Sequence, residues 1–189
     1  MKTVKPANLI LLMSALLLPL SATADDRVFV QVPAMIAPEA SIPNAVRSQC
    51  AVDTLVGNYA LSAVGKRFPS AQAASAPDQA GVATFVKLTV VSVVGFGGGS
   101  WSGPKAMAIR AEILKGGAVV GSTLLTRSSS GGMFGGFKGT CSILDRVAVA
   151  LGKDVAAWVA RGPGAQPGKP DADADAADAG REATPEAGK

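Results

Sequence analysis

Two cysteines, Cys50 and Cys141, carry the most distinctive chemistry in this chain, and none of its 189 residues is histidine. Without histidine, Ser-His-Asp and Cys-His nucleophilic catalysis are excluded, as are the usual zinc sites. The central carboxylates are few: Asp53, Asp78, Glu112, Asp145 and Asp154. No spacing sets two of them across one cleft, as a glycosidase pair would require. Asp53 and Asp145 each lie near the start of a predicted helix, where a negative charge offsets the helix dipole. The aspartates near the C-terminus lack the glycine turn and closing glutamate of a calcium loop, so they read as solvated charge.

Two glycine-rich stretches invite a nucleotide reading. Gly95-x-Gly97-x-x-Ser100 follows a predicted strand, but what comes next reads as another strand, not the helix a dinucleotide loop needs. In the stretch Gly131 to Thr140 the Gly-Lys-Thr order of a phosphate loop is broken, because Gly139 separates Lys138 from Thr140. No cofactor is therefore expected. Backbone amides beside Lys138 could hold an anionic group. The plainer role is a loop ending in a helix capped by Thr140. Trp101 lies in the first glycine stretch, where either packing over the sheet end or contact with a partner would account for it.

The start of the chain has the pattern of an export signal. Lys2 and Lys5 precede an apolar run, Leu9 to Leu20, and Ala22-Thr23-Ala24 then offers a small-x-small cleavage site. The apolar run is about 12 residues, short of the ~20 a membrane span needs. No cysteine follows the cleavage site, so lipid attachment there is not expected. Residues 1–24 are expected to be a signal peptide, leaving a periplasmic chain with no transmembrane segment. Past Arg161 the chain turns to Ala, Asp, Gly and Pro without large apolar residues. Residues 162–189 cannot bury enough surface to offset ordering entropy and are expected to be a disordered acidic tail. Residues 25–161 are enough for one domain.

The net charge of +4 divides unevenly: +2 in the leader, +5 in the domain and −3 in the tail. The basic residues of the domain are scattered, and few aromatic rings are present to stack on bases, so nucleic acid is not an expected partner.

Within the domain, Arg27 to Val32 reads as a first strand near an edge, ended by Pro33, with a loop from Pro33 to Pro43. A helix should run from about Ser41–Asn44 to Gly65, with apolar residues at helical spacing. After a loop over Pro69–Gly81, Val82–Val94 is rich in β-branched residues and predicts a long, buried strand. Lys105–Leu114 alternates as a half-exposed strand, Gly116-Gly117 marks a hairpin, and Ala118–Thr126 returns. A last helix follows from Thr140 to about Arg161, with Trp158 on its apolar stripe. Gly152 within it costs ~1 kcal/mol relative to Ala.

The predicted fold class is α+β in the order β-α-β-β-β-α: a four-stranded mixed sheet packed by two helices. If the first two strands are parallel, the chain direction puts Cys50, Cys141 and both glycine stretches at one end. A single disulfide, Cys50–Cys141, is then expected in the oxidising compartment. Closing so long a loop contributes up to ~4–5 kcal/mol on the chain-entropy model.

The stretches Gly98-Gly99-Ser100-Trp101-Ser102-Gly103-Pro104-Lys105, Arg127 to Gly132, and Gly139-Thr140-Cys141-Ser142 resemble uncharacterised secreted or lipoprotein-like families of proteobacteria, over about Ile42–Trp158. More loosely, the element order resembles the periplasmic domains of the curli-secretion lipoprotein and of lipoprotein activators of penicillin-binding proteins. These resemblances imply an accessory or binding protein of the bacterial envelope and transfer no catalytic residue. The candidate surface for an envelope protein or component is Trp101, Lys105, Phe134 and Lys138. The alternatives are a structural subunit of an envelope assembly and an unfamiliar envelope enzyme.

Overall fold

The computed structural model describes residues 27–95, 104–130 and 138–165. The expected leader, Trp101, Phe134 and most of the expected tail lie outside the described residues. The elements are β1 (Val28–Gln31), β2 (Met35–Ser41), α1 (Asn44–Gln49), α2 (Val52–Gly65), β3 (Gln72–Ala74), a 3-10 turn (Pro77–Ala80), β4 (Thr84–Val94), β5 (Lys105–Lys115), β6 (Ala118–Ser129) and α3 (Thr140–Arg161). The α+β class and the mixed sheet stand. The sheet has six strands rather than four, however, and three α-helices rather than two.

The hairpin expected at Gly116-Gly117 forms, and the parallel pairing supposed for the first two predicted strands is present. β1 pairs with β4 in parallel, and β4–β5 and β5–β6 are antiparallel. Two additions change the edge. β3 pairs in parallel with β1 from its outer side, so β1 is an interior strand and not an edge strand. Met35–Ser41, expected as part of a loop, is β2, which pairs in parallel with β4 beyond the end of β1. β1 and β2 thus share one side of the eleven-residue β4, interrupted at Pro33. At the interruption the buried Gln31 reaches across. Its side-chain oxygen accepts the Leu88 backbone N–H at 3.0 Å, supplying an acceptor where the strand pairing breaks.

The core lies between the sheet and the helices. Val30, Val86, Leu88, Val90, Met107, Ile109 and Leu125 meet Val56, Ala60, Leu144, Leu151, Val155 and Trp158 there. On the opposite face a smaller cluster of Phe29, Phe85 and Leu114 is closed over by Ala74, Ala80 and Ala83. That cluster explains the short β3 and the 3-10 turn: the polar, alanine-rich segment expected as a loop supplies small residues that seal two aromatic rings.

α3 is one unbroken helix despite Gly152. A Cβ on Gly152 would stand 2.6 Å from the Tyr59 carbonyl oxygen of α2, so the glycine lets the two helix backbones touch. Its low helix propensity is offset by that close approach. Trp158 is fully buried, as expected of the helical stripe. Order continues past the expected boundary at 161. The Trp158 indole N–H donates to the Ala165 carbonyl, and Pro163 packs directly over Gly121 of β6.

Candidate functional site

The expected helix from Ser41–Asn44 to Gly65 is divided at Cys50–Ala51. Ala51 takes a left-handed conformation, φ 41°, which a non-glycine residue adopts rarely and which the sequence does not signal. The turn ends α1 at Cys50 and starts α2 on a new axis. Cys50 is then close to Cys141, the second residue of α3, and the two form the expected disulfide, with Cα atoms 5.0 Å apart and 91 residues of separation. Neither α1 nor α3 has a side-chain N-cap hydrogen bond. Thr140, expected to cap α3, is instead its first residue, and the capping position is Gly139.

Around the disulfide lies an open pocket of about 420 Å³, lined by Ala45, Val46, Gln49, Cys50, Gly95, Gly139, Thr140 and Cys141. Its walls are α1, the residue that leaves β4 and the start of α3. A Cβ on Gly95 would meet the Val46 side chain at 2.8 Å, so a glycine there lets α1 seat against the sheet end. Ala106 of β5 pairs with Val94, and Ser129 of β6 pairs with Lys105. The chain therefore leaves the sheet after β4 and β6, and enters β5 and α3, at this one end.

Of the predicted contact residues, Lys138 is partly exposed, just ahead of α3. Lys105, expected on the contact surface, is instead fully enclosed at the start of β5 and engaged there. The alternation that makes β5 a strand turns Lys105 to the same side as buried Met107 and Ile109. Gly95 begins the first glycine-rich stretch, whereas the pocket residues Ala45, Val46 and Gln49 carried no site signal, since their placement depends on the αL turn at Ala51.

The carboxylates divide by role. Asp53 is in the first turn of α2, where the helix dipole favours it. Asp145 lies beyond the first turn of α3 and instead accepts a hydrogen bond from the Tyr59 hydroxyl at 2.8 Å. That hydrogen bond, then burial, then the nearby negative charge raise the Tyr59 pKa. Asp154 forms a two-point pair with Arg127, both contacts 2.6 Å, tying β6 to α3. Lys87 and Glu112 face each other across β4–β5 at 3.0 Å. These pairs bind element to element, a structural use of charge.

Among the described residues no helix is long and apolar enough to cross a membrane. No family model and no curated protein matches the chain. Solved structures overlap it in outline. The PelC dodecamer from Paraburkholderia phytofirmans is 14% identical with a TM-score of 0.43, covering 68% of this chain and 86% of that one. An uncharacterized protein is 15% identical at 0.41, covering 71% and 97%. XCC0632 from Xanthomonas campestris, of DUF330, is 14% identical at 0.41, covering 70% and 82%. At these identities and scores the likeness carries no residue role across.

Proposed function

We propose that this chain is an exported, non-enzymatic accessory or binding protein of the bacterial envelope. It meets a protein or envelope component through the end where the two glycine-rich stretches join the fold. The observation that carries this reading is the Cys50–Cys141 bond at that end. It ties α1 to α3 around an open pocket, at the point where residues 96–103 and 131–137 leave and rejoin described elements. A covalently fixed base lowers the entropy lost when a contact surface binds. Trp101, Phe134 and Lys138 are the proposed contacts, and the fully buried Lys105 belongs to the scaffold. The signal-like leader and the disulfide both fit a periplasmic location. The looser resemblance to curli-secretion and penicillin-binding-protein-activator domains belongs to the same reading.

The test is site-specific crosslinking in cells from position 138, with identification of what is captured. Trp101→Ala together with Phe134→Ala should leave thermal unfolding unchanged and abolish capture. Capture that survives the double substitution removes this surface from the proposal.

A second reading, a structural subunit of an envelope assembly, is favoured by β6. This edge strand is twelve residues long and exposes Val119 (53%), Val120 (43%) and Leu124 (57%). Its sole charged side chain, Arg127, is tied to Asp154. Edge strands usually carry charges or prolines that discourage pairing. Light scattering of the full chain against Leu124→Lys distinguishes the readings: an assembly loses mass with the substitution, whereas a monomer does not change.

A further inference from the structure

We propose that Cys50–Cys141 is an exchange-active disulfide, opened under native conditions by a dithiol reductant with Cys141 as the leaving thiolate, and that its opening releases α1 while the rest of the fold stays in place. The proposal concerns the same bond that anchors the partner surface above, and its thiol count is read without reference to partner capture.

The two sulfurs have unlike surroundings. Cys141 is the second residue of the 22-residue α3, whose N-cap, Gly139, offers no side chain and whose first turn holds no acid. The positive end of that helix dipole is thus not offset by a carboxylate in its first turn. A thiolate in such a position is stabilised by the helix dipole. Cys50 closes the opposite kind of terminus. It follows the last residue of α1, where carbonyl groups disfavour an anion, and its own N–H donates to the Val46 carbonyl. The N-terminus of α2 just beyond it carries Asp53 in its first turn, a charge that offsets that helix's dipole. Exchange is faster when the departing thiol has the lower pKa, so Cys141 is the better leaving group and the Cys50 sulfur the site of attack. Both cysteines line the open pocket, Cys141 partly exposed and Cys50 only 6% exposed, so attack on the Cys50 sulfur takes place as the lightly held α1 moves aside.

The reaction balances. A thiolate of the reductant bonds to the Cys50 Sγ, the S–S bond breaks, and its electron pair goes to the Cys141 Sγ. The second thiolate of the reductant then attacks the mixed disulfide. The reductant leaves as its own disulfide, Cys50 departs as a thiolate, and the two cysteine thiolates take up from water the two protons that the reductant's thiols released. Two protein thiols are formed, and one dithiol is oxidised.

The consequence is local because α1 has little else holding it. One of its six residues, Val46, is buried. α2 starts afresh after Ala51 and buries Val52, Val56, Ala60 and Val64, so it does not depend on the bond. The charged groups on the elements that carry or adjoin the cysteines are Arg47 on α1, Asp53 on α2, Lys138 ahead of α3, and Asp145, Arg146, Lys153, Asp154 and Arg161 on α3, the last three of these lying turns away from Cys141. Asp145 is engaged by Tyr59.

The test uses the full oxidised chain with dithiothreitol at neutral pH, counting thiols by acid quench and mass spectrometry while circular dichroism follows the fold. The expected result is complete reduction with the helical signal retained and hydrogen exchange raised over Asn44–Gln49. Reduction only as the fold is lost would overturn the proposal. Ser142→Asp, on an exposed first-turn position, should slow reduction about two- to fivefold by opposing the leaving thiolate, whereas Ser142→Asn should not. Equal rates for the two variants would remove the leaving-group assignment. In Cys50→Ser, alkylation of Cys141 by iodoacetamide should rise through a pKa below ~8.5; a midpoint at or above it counts against the idea. A monothiol should be trapped on Cys50, and trapping on Cys141 reverses the direction of attack.

Discussion

α1 and α2 lie on either side of one residue, Ala51, yet are held by different means. α2 has fourteen residues and five buried positions, and its backbone rests on α3 at Gly152. α1 has six residues, one buried side chain and one covalent bond. Packing stabilises the first, because burial over several turns accumulates. In the second, a disulfide stands in for a contact area too small to hold a short helix. The same divide separates a sealed, well-packed body from an end that keeps an open pocket.

Four experiments would break or sharpen this comparison. The largest effect is expected from replacing both cysteines by serine. Chain entropy for a loop of this length sets an upper bound of ~4–5 kcal/mol on the loss, measured by urea unfolding. If the loss is near zero, the covalent tie does not hold α1. Gly152→Ala should be next, destabilising by ~2–3 kcal/mol despite the better helix propensity of alanine, because the added carbon meets the Tyr59 carbonyl at 2.6 Å. A more stable variant would mean that the two helices do not touch there. Val46→Ala should cost ~1.5 kcal/mol for two lost methyl groups, with raised hydrogen exchange confined to α1. Exchange that rises equally over α2 would erase the distinction.

The smallest effect concerns Tyr59, on the packed side. Its hydroxyl donates to Asp145, and its pKa is raised. A raised folded-state pKa contributes stability that is fully present below the unfolded value of ~10 and is lost as pH rises through the folded value. Tyr59→Phe should therefore cost ~1 kcal/mol at pH 7, and the gap from wild type should close in strong alkali. Denaturant midpoints at the two pH values measure it, and a constant gap would contradict the hydrogen bond.

Long elements with one dominant pattern were legible. β4 with its β-branched residues, the alternating β5 and the striped α3 fall close to their expected bounds. Three features escaped. β2 contains Pro38, lies in a segment flanked by prolines and pairs with β4 alone, so its residues show no two-residue period. β3 has three residues, and what holds it is the packing of Ala74 against rings distant in sequence. The break at Ala51 lacks a glycine to announce it, because tertiary contacts there hold an alanine in a glycine-like conformation. The candidate site was half legible for the same reason. The disulfide followed from chain direction, whereas the pocket and the enclosure of Lys105 did not.

The sequence by itself determined the α+β class, four of the six strands, the hairpin at Gly116-Gly117 and, once the first and fourth strands are taken as parallel, the end at which the cysteines meet. Periodicity and chain direction are local or topological properties, and they survive without coordinates. Only the tertiary structure decided where the first helix breaks, how completely Lys105 is enclosed on the face that the β5 alternation gives it, and that a pocket opens beside the disulfide. Each of those depends on atoms from segments distant in sequence, whose distances no one-dimensional pattern records. The exchange chemistry proposed for Cys50 and Cys141 draws on both: the residues are in the sequence, and the helix ends that make them unequal are in the fold.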